Sequence, residues 1–183
     1  MDISDDAVLA DTRRWIEKAV IGLNLCPFAR SVYVKNQVRI VVSRARHVDA
    51  FLDELDRELD LLVNTPAEEI DTTLLVHPTL FPDFVVFNDF MGVVDDVVAE
   101  HELEGVIQVA NFHPDFQFEG EPEGDMSHCT NRAPYPILHL LREDSVSRAV
   151  ASEGGDAEAI VERNIRTLRE LGPEGWKALL AKP

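Results

Sequence analysis

The side chains best suited to chemistry crowd into one stretch, Gln108 to Glu143, which reads QVANFHPDFQFEGEPEGDMSHCTNRAPYPILHLLRE. It holds three of the six histidines, His113, His128 and His139, together with Asn111, Gln117, Cys129, Asn131, Arg132 and Arg142. A neutral imidazole can shuttle protons near neutral pH. A guanidinium offers a planar fork of donors that fits a carboxylate or phosphate. The apolar runs VIQVA and ILHLL are separated by a long connection rich in Pro, Gly and acids. Ordered connections of that length in a compact domain usually carry function.

One dipeptide recurs. LLVHP at 74–78 and VANFHP at 109–114 both close an apolar run with His-Pro. If the two runs are parallel strands, His77 and His113 project from the carboxyl edge of the sheet, where open α/β folds collect ligands. The plainer reading is that Pro, lacking an N–H, ends each strand and the histidine merely precedes it.

The elements that would hold these groups follow from periodicity. Ser4 caps a first helix whose Val8, Thr12, Trp15, Ile16, Ala19 and Leu23 keep helical spacing, and Pro27 ends it. VRIVV (38–42), TTLLV (72–76) and VIQVA (106–110) read as strands; ILHLL (137–141) fits a fourth strand or a buried helical turn. Helices fill the gaps, one carrying Phe51, Leu55, Leu59 and Leu62 on a face, the next Phe84, Phe87, Phe90 and Val94. Asp156 caps a last long helix that Gly172-Pro173 interrupts before Trp176. Strands alternating with amphipathic helices predict an α/β fold. The expected form is a small, mostly parallel three- or four-stranded sheet with packed helices and a helical C-terminus. Residues 1–150 would form the core domain and 151–183 a helical appendage packed on it.

The remaining candidates divide between site and scaffold. Asn88 and Asp89 break an apolar helix face and either meet solvent or orient a strand-end histidine. Cys26 in NLCPF follows a helix C-terminus, whose negative pole raises a thiol pKa, so a structural thiol is expected. His128-Cys129 lack the spacing of a zinc knuckle. Arg132 is either an anion anchor or the partner of a loop acid such as Glu123 or Asp125. His139, inside an apolar run, is a hydrogen-bonded core histidine or a third imidazole of the site. Arg163, Arg166 and Arg169 form a stripe that reads as a solvated helix face.

Composition narrows the classes. A net charge of −17, with 34 acids against 17 bases, disfavours nucleic acid. No apolar run approaches a membrane span, the start lacks the form of a signal peptide, and two cysteines make no disulfide framework, so the cytoplasm is expected. No glycine-rich nucleotide loop is present, which disfavours NAD and ATP chemistry; the sequence identifies no cofactor, metal or oligomeric state.

Taken together, NLCPFA, LLVHP, FNDF, QVANFHPDFQF and TNRAPYPILHLLRE resemble the motifs of a bacterial domain-of-unknown-function family of small proteins, across residues of roughly 12 to 150. The resemblance implies membership rather than an activity. It marks Cys26, His77, Asn88, Asp89, Asn111, His113, Gln117, Asn131, Arg132, His139 and Arg142 as motif positions. The leading expectation is an enzyme acting on a small anionic substrate, with metal-assisted hydrolysis as one form. His77, His113 and His139 would be catalytic, and Asn88, Asn111, Gln117, Asn131, Arg132 and Arg142 would hold the substrate. The alternatives are a non-catalytic small-molecule or metal-binding module and an acidic protein-interaction domain.

Overall fold

A computed structural model describes residues 3–182 of the chain. Helix α1 (Asp5–Trp15) starts where the Ser4 hydroxyl accepts the Ala7 N–H, with Asp5 and Asp6 at its positive end. The helix then widens into a π-helical turn, Ile16–Ile21, closed by five-residue steps from the Gly22 N–H to the Glu17 carbonyl and from the Leu25 N–H to the Val20 carbonyl. Glycine is required at the exit, because a Cβ at Gly22 would lie 2.1 Å from the Lys18 carbonyl oxygen. A short helix α2 (Ala29–Val34) leads to strand β1 (Val38–Val42).

Helix α3 (Val48–Asn64), strand β2 (Thr72–Val76), helix α4 (Phe84–Glu100) and strand β3 (Ile107–Phe112) follow. A long connection containing one 3₁₀ turn, Met126–Thr130, precedes strand β4 (Ile137–Arg142). Helices α5 (Glu143–Ser152) and α6 (Ala157–Leu180) complete the chain. Gly172, at φ 70° and ψ 173°, breaks α6, and Pro173 restarts it.

The strands lie in the order β1-β2-β4-β3. β1 pairs parallel with β2, but β4 pairs antiparallel with both β2 and β3. The expectation of a mostly parallel sheet is therefore corrected: the sheet is mixed, and two of its three pairings are antiparallel. The physical reason is a split β-α-β unit. β1, β2 and β3 do run the same way, and the long connection after β3 returns β4 into the gap between β2 and β3. ILHLL is thus a central strand, with its hydrogen bonds satisfied on both sides.

The sheet separates two unlike layers. On one face, Leu75, Leu138 and Leu140 meet Phe51, Leu55, Leu59 and Leu62 of α3 and Phe87, Phe90 and Val94 of α4, all buried. Full burial of each such side chain contributes about 1.5–3 kcal/mol. Arg142 closes the end of this layer. Its Nη2 lies 2.6, 2.7 and 2.9 Å from the carbonyl oxygens of Leu62, Thr65 and Ile70, capping the negative pole of α3. On the other face lie α1, the π turn, α2, α5 and α6, with Trp15 set edge-on to Phe112 at 5.0 Å between ring centres. No helix among the described residues is long and apolar enough to cross a membrane.

Candidate functional site

His77 and His113 follow the last paired residues of β2 and β3, both opposite Ile137, so they stand at one edge of the sheet. Each is 1% exposed. Nδ1 of His77 accepts the N–H groups of Thr79 and Leu80 at 3.2 and 2.8 Å, and its Nε2 lies 2.8 Å from the Ala45 carbonyl. An nitrogen that accepts an N–H carries no proton, so the ring is neutral and Nε2–H donates. His113 repeats the arrangement: Nδ1 accepts from Asp115 N–H at 3.0 Å, and Nε2–H donates to the Phe81 carbonyl at 2.9 Å. His77 therefore holds Leu80 while His113 holds Phe81, and the two rings together fix the connection from β2 into α4. Phe51 and Phe81 pack on His77, Phe84 and Phe87 on His113. Burial also pushes the His77 pKa below the ordinary 6.5.

His128 uses the same device in the long connection. Its Nδ1 accepts the Phe118 N–H at 3.0 Å and its Nε2–H donates to the Pro122 carbonyl at 2.8 Å. Asp125 caps the 3₁₀ turn through the Ser127 N–H and pairs with Arg169 of α6, and these bonds, the backbone one first, hold its pKa down to about 2. The arginine stripe on α6 is thus partly engaged: Arg169 ties down this connection, and Arg163 bonds Glu153 and the Asn24 carbonyl.

The expected substrate-binding set is dispersed. Asn88 is exposed and makes a long contact, 3.4 Å, with Asn111 across α4 and β3. Gln117 is exposed on the long connection, and Asp89 faces solvent. Arg132 donates from Nε to the Phe116 carbonyl at 3.1 Å, rather than pairing with Glu123 or Asp125. Arg142 is committed to the end of α3, as described above. Asn131 donates to the Asn111 carbonyl at 3.2 Å and borders the cavity described next. Among the described residues no group of three or more His, Cys, Asp or Glu side chains is placed to hold a metal ion.

A cavity of about 360 Å³ lies on the opposite face of the sheet from His77 and His113. That volume is at the lower end of the roughly 300–1,000 Å³ typical of small-molecule sites. Its floor is Val38, Thr72, Leu74, Gln108, Ala110, Phe112, His139 and Leu141; its roof comes from the π turn, α2, α5 and α6. Small side chains at Ala29, Ala110, Ala149 and Ala157 leave the space open. Ala157 and Val161 are exposed members of the wall, which puts the mouth at the start of α6, beside the Gly154-Gly155 turn. None of the lining residues is Asp, Glu, Lys or Arg.

His139 is the one imidazole on this floor. Thr72 Oγ1 lies 2.6 Å from the Leu140 carbonyl and 2.9 Å from His139 Nε2. The hydroxyl has a single proton, which the carbonyl takes, so Nε2–H must donate to the hydroxyl oxygen. Nδ1 is then a bare acceptor with no partner among the described residues, and it is not one of the sealed, partnerless atoms of the interior. The ring is half-buried and lines the cavity. Burial drives its pKa down to about 4 from 6.5, so it is neutral at ordinary pH.

Cys26 lies in the cavity wall and is half-buried. Its pKa is raised. Burial dominates, and the Phe28 and Ala29 N–H groups, at the start of α2, act in the opposite direction. The sequence reading passed over the cavity itself, Gln108 and the roof formed by α5 and α6. The available signal was alternation: Gln108-Ala110-Phe112 and His139-Leu141 place a small residue between larger ones on one strand face.

The chain belongs to the family described as protein of unknown function (DUF1415), whose profile covers residues 7–178. No curated protein and no solved structure matches it.

Proposed function

We propose that this protein binds a small, largely apolar molecule in the cavity between the sheet and the α1/α2/α5/α6 layer, with His139 as its polar contact. The observation that carries this reading is the wall: aliphatic and aromatic side chains throughout, no charged residue, and a few polar groups. Apolar enclosure with sparse, placed polar groups is the ordinary construction of a ligand site. The same wall weighs against the small anionic substrate expected earlier. An anion there would be desolvated with no cation to compensate it, inside a chain of net charge −17.

Binding also fits the histidines better than turnover does. A general acid or base works best with a pKa near the operating pH, and His139 is held at about 4. His77 and His113 spend both ring nitrogens on backbone partners. Cys26 is a protonated thiol rather than a thiolate nucleophile.

Trp15 lies in the wall and reports on occupancy. Titration with straight-chain alcohols of rising length should change Trp fluorescence saturably, with affinity increasing per methylene until the cavity is full. Ala110→Phe, which fills the floor, should keep the fold and lose the response. Absence of saturable binding in the wild type, or unchanged binding in Ala110→Phe, would refute the proposal.

A further inference from the structure

We infer that the ligand of this cavity is uncharged and carries a hydrogen-bond donor, a hydroxyl being the simplest, directed at Nδ1 of His139. The inference rests on the apolar-ligand reading above and names the chemistry of the ligand's polar end.

Thr72 sets the tautomer of His139. Its hydroxyl proton is held by the Leu140 carbonyl at 2.6 Å, and this fixes which nitrogen of His139 is protonated. The histidine cannot reverse its tautomer without setting two lone pairs, Thr72 oxygen against Nε2, face to face. Nδ1 is therefore a permanent acceptor, on a ring that lines an apolar space. An acceptor facing an apolar space without a partner is unfavourable, and an occupant bearing a donor removes that defect. An occupant bearing only acceptors would place lone pair against lone pair.

Gln108 lies on the same face of the floor, and its amide has no side-chain partner among the described residues. An amide offers both a donor and an acceptor, so it can take the oxygen lone pairs of a hydroxyl whose proton goes to His139. Charge is excluded by the rest of the wall. No basic residue is present to hold a carboxylate or phosphate, and no acid to hold an ammonium. A carboxylic acid could enter only in its protonated form, which is itself a hydroxyl donor.

Three probes of similar length separate the possibilities: octan-1-ol, 1-chlorooctane and octanoate, titrated by calorimetry near neutral pH. The alcohol should bind wild type about tenfold more tightly than the chloride, the upper range for one neutral hydrogen bond. Octanoate should bind more weakly than the alcohol and gain affinity as the pH is lowered towards its own pKa. In His139→Phe the alcohol's advantage should vanish while the chloride stays within about twofold, since one hydrogen bond is removed and the wall stays apolar. Equal binding of alcohol and chloride to wild type overturns the donor requirement and leaves the apolar site standing. Tighter binding of octanoate than of the alcohol overturns the uncharged class. Failure of all three to bind overturns this inference and the proposed function together. The wild-type comparison decides the matter even if His139→Phe does not fold.

Discussion

The two faces of the sheet treat histidine in opposite ways. Against α3 and α4, His77 and His113 are packed among phenylalanines with both ring nitrogens bonded to backbone. Against α1, α2, α5 and α6, His139 satisfies one nitrogen through Thr72 and leaves the other facing a cavity. His77 and His113 are buried more completely than His139, so burial alone does not mark a site. What distinguishes them is the account of donors and acceptors: a completed set makes a staple, and an incomplete one beside empty space makes a binding contact.

The packing difference predicts the largest effect. Phe81, 3% exposed, touches the rings of Phe51, Phe87 and Phe90. Phe81→Ala should destabilise by about 3–5 kcal/mol, because the surrounding layer has no slack to collapse into the hole. Ile16→Ala, in the cavity wall, should lie near the low end of the aliphatic range, about 2 kcal/mol, since its neighbours already lack contacts on one side. Urea unfolding of both variants checks the contrast. Equal losses would mean that the second face is as tightly packed as the first.

A pH titration of stability probes His139 itself. Its folded-state pKa is about 4 against 6.5 for the free side chain, so between those values the unfolded chain binds the proton and the folded chain does not. Stability therefore rises with pH across that window; it is fully present above about 6.5 and is lost as the pH falls towards 4. The loss should be roughly 3 kcal/mol at one histidine, from about 1.4 kcal/mol per pKa unit. His77 is shifted the same way by burial and adds to the slope. The wild-type curve minus that of His139→Phe isolates the cavity histidine. If the difference is flat between pH 6.5 and 4, His139 is not held neutral by the fold.

These contrasts bear on what the sequence made legible. β1 to β3 and the helices α3 and α4 could be read from local period, because each buries a continuous apolar face whose spacing is written in a few adjacent residues. The direction of β4 could not. It depends on how the chain returns after His113-Pro114, and no local pattern encodes which gap in the sheet a returning strand will enter. The paired His-Pro signature correctly drew attention to one edge, yet its meaning lay in backbone N–H groups two and three residues downstream, which carry no sequence mark. Nor could the cavity be read locally. Ala29, Ala110, Ala149 and Ala157 belong to four separate elements, and the space appears only when all four meet. The π turn that carries Ile16 and Val20 into the wall has the same apolar spacing as an ordinary helix.

The smallest predicted effect concerns Cys26, where the two faces are compared through a thiol rather than a ring. Cys26 lines the cavity, yet burial raises its pKa, and the N–H groups of Phe28 and Ala29 only partly offset this. Being in a binding wall should therefore not make it reactive, because the thiolate is the nucleophile and the wall disfavours charge. Cys26→Ala should lower stability by about 1 kcal/mol, the cost of a small core truncation. It should also enlarge the cavity, so the alcohol chain length of tightest binding should shift upward while the preference for alcohol over chloride persists. Alkylation by iodoacetamide near neutral pH should be slow in the free protein and slower still with octan-1-ol bound, since the occupant covers the sulfur. Rapid alkylation would show an activated thiol and return the cavity to the class of nucleophilic sites. Alkylation indifferent to octan-1-ol would place the alcohol somewhere other than this cavity.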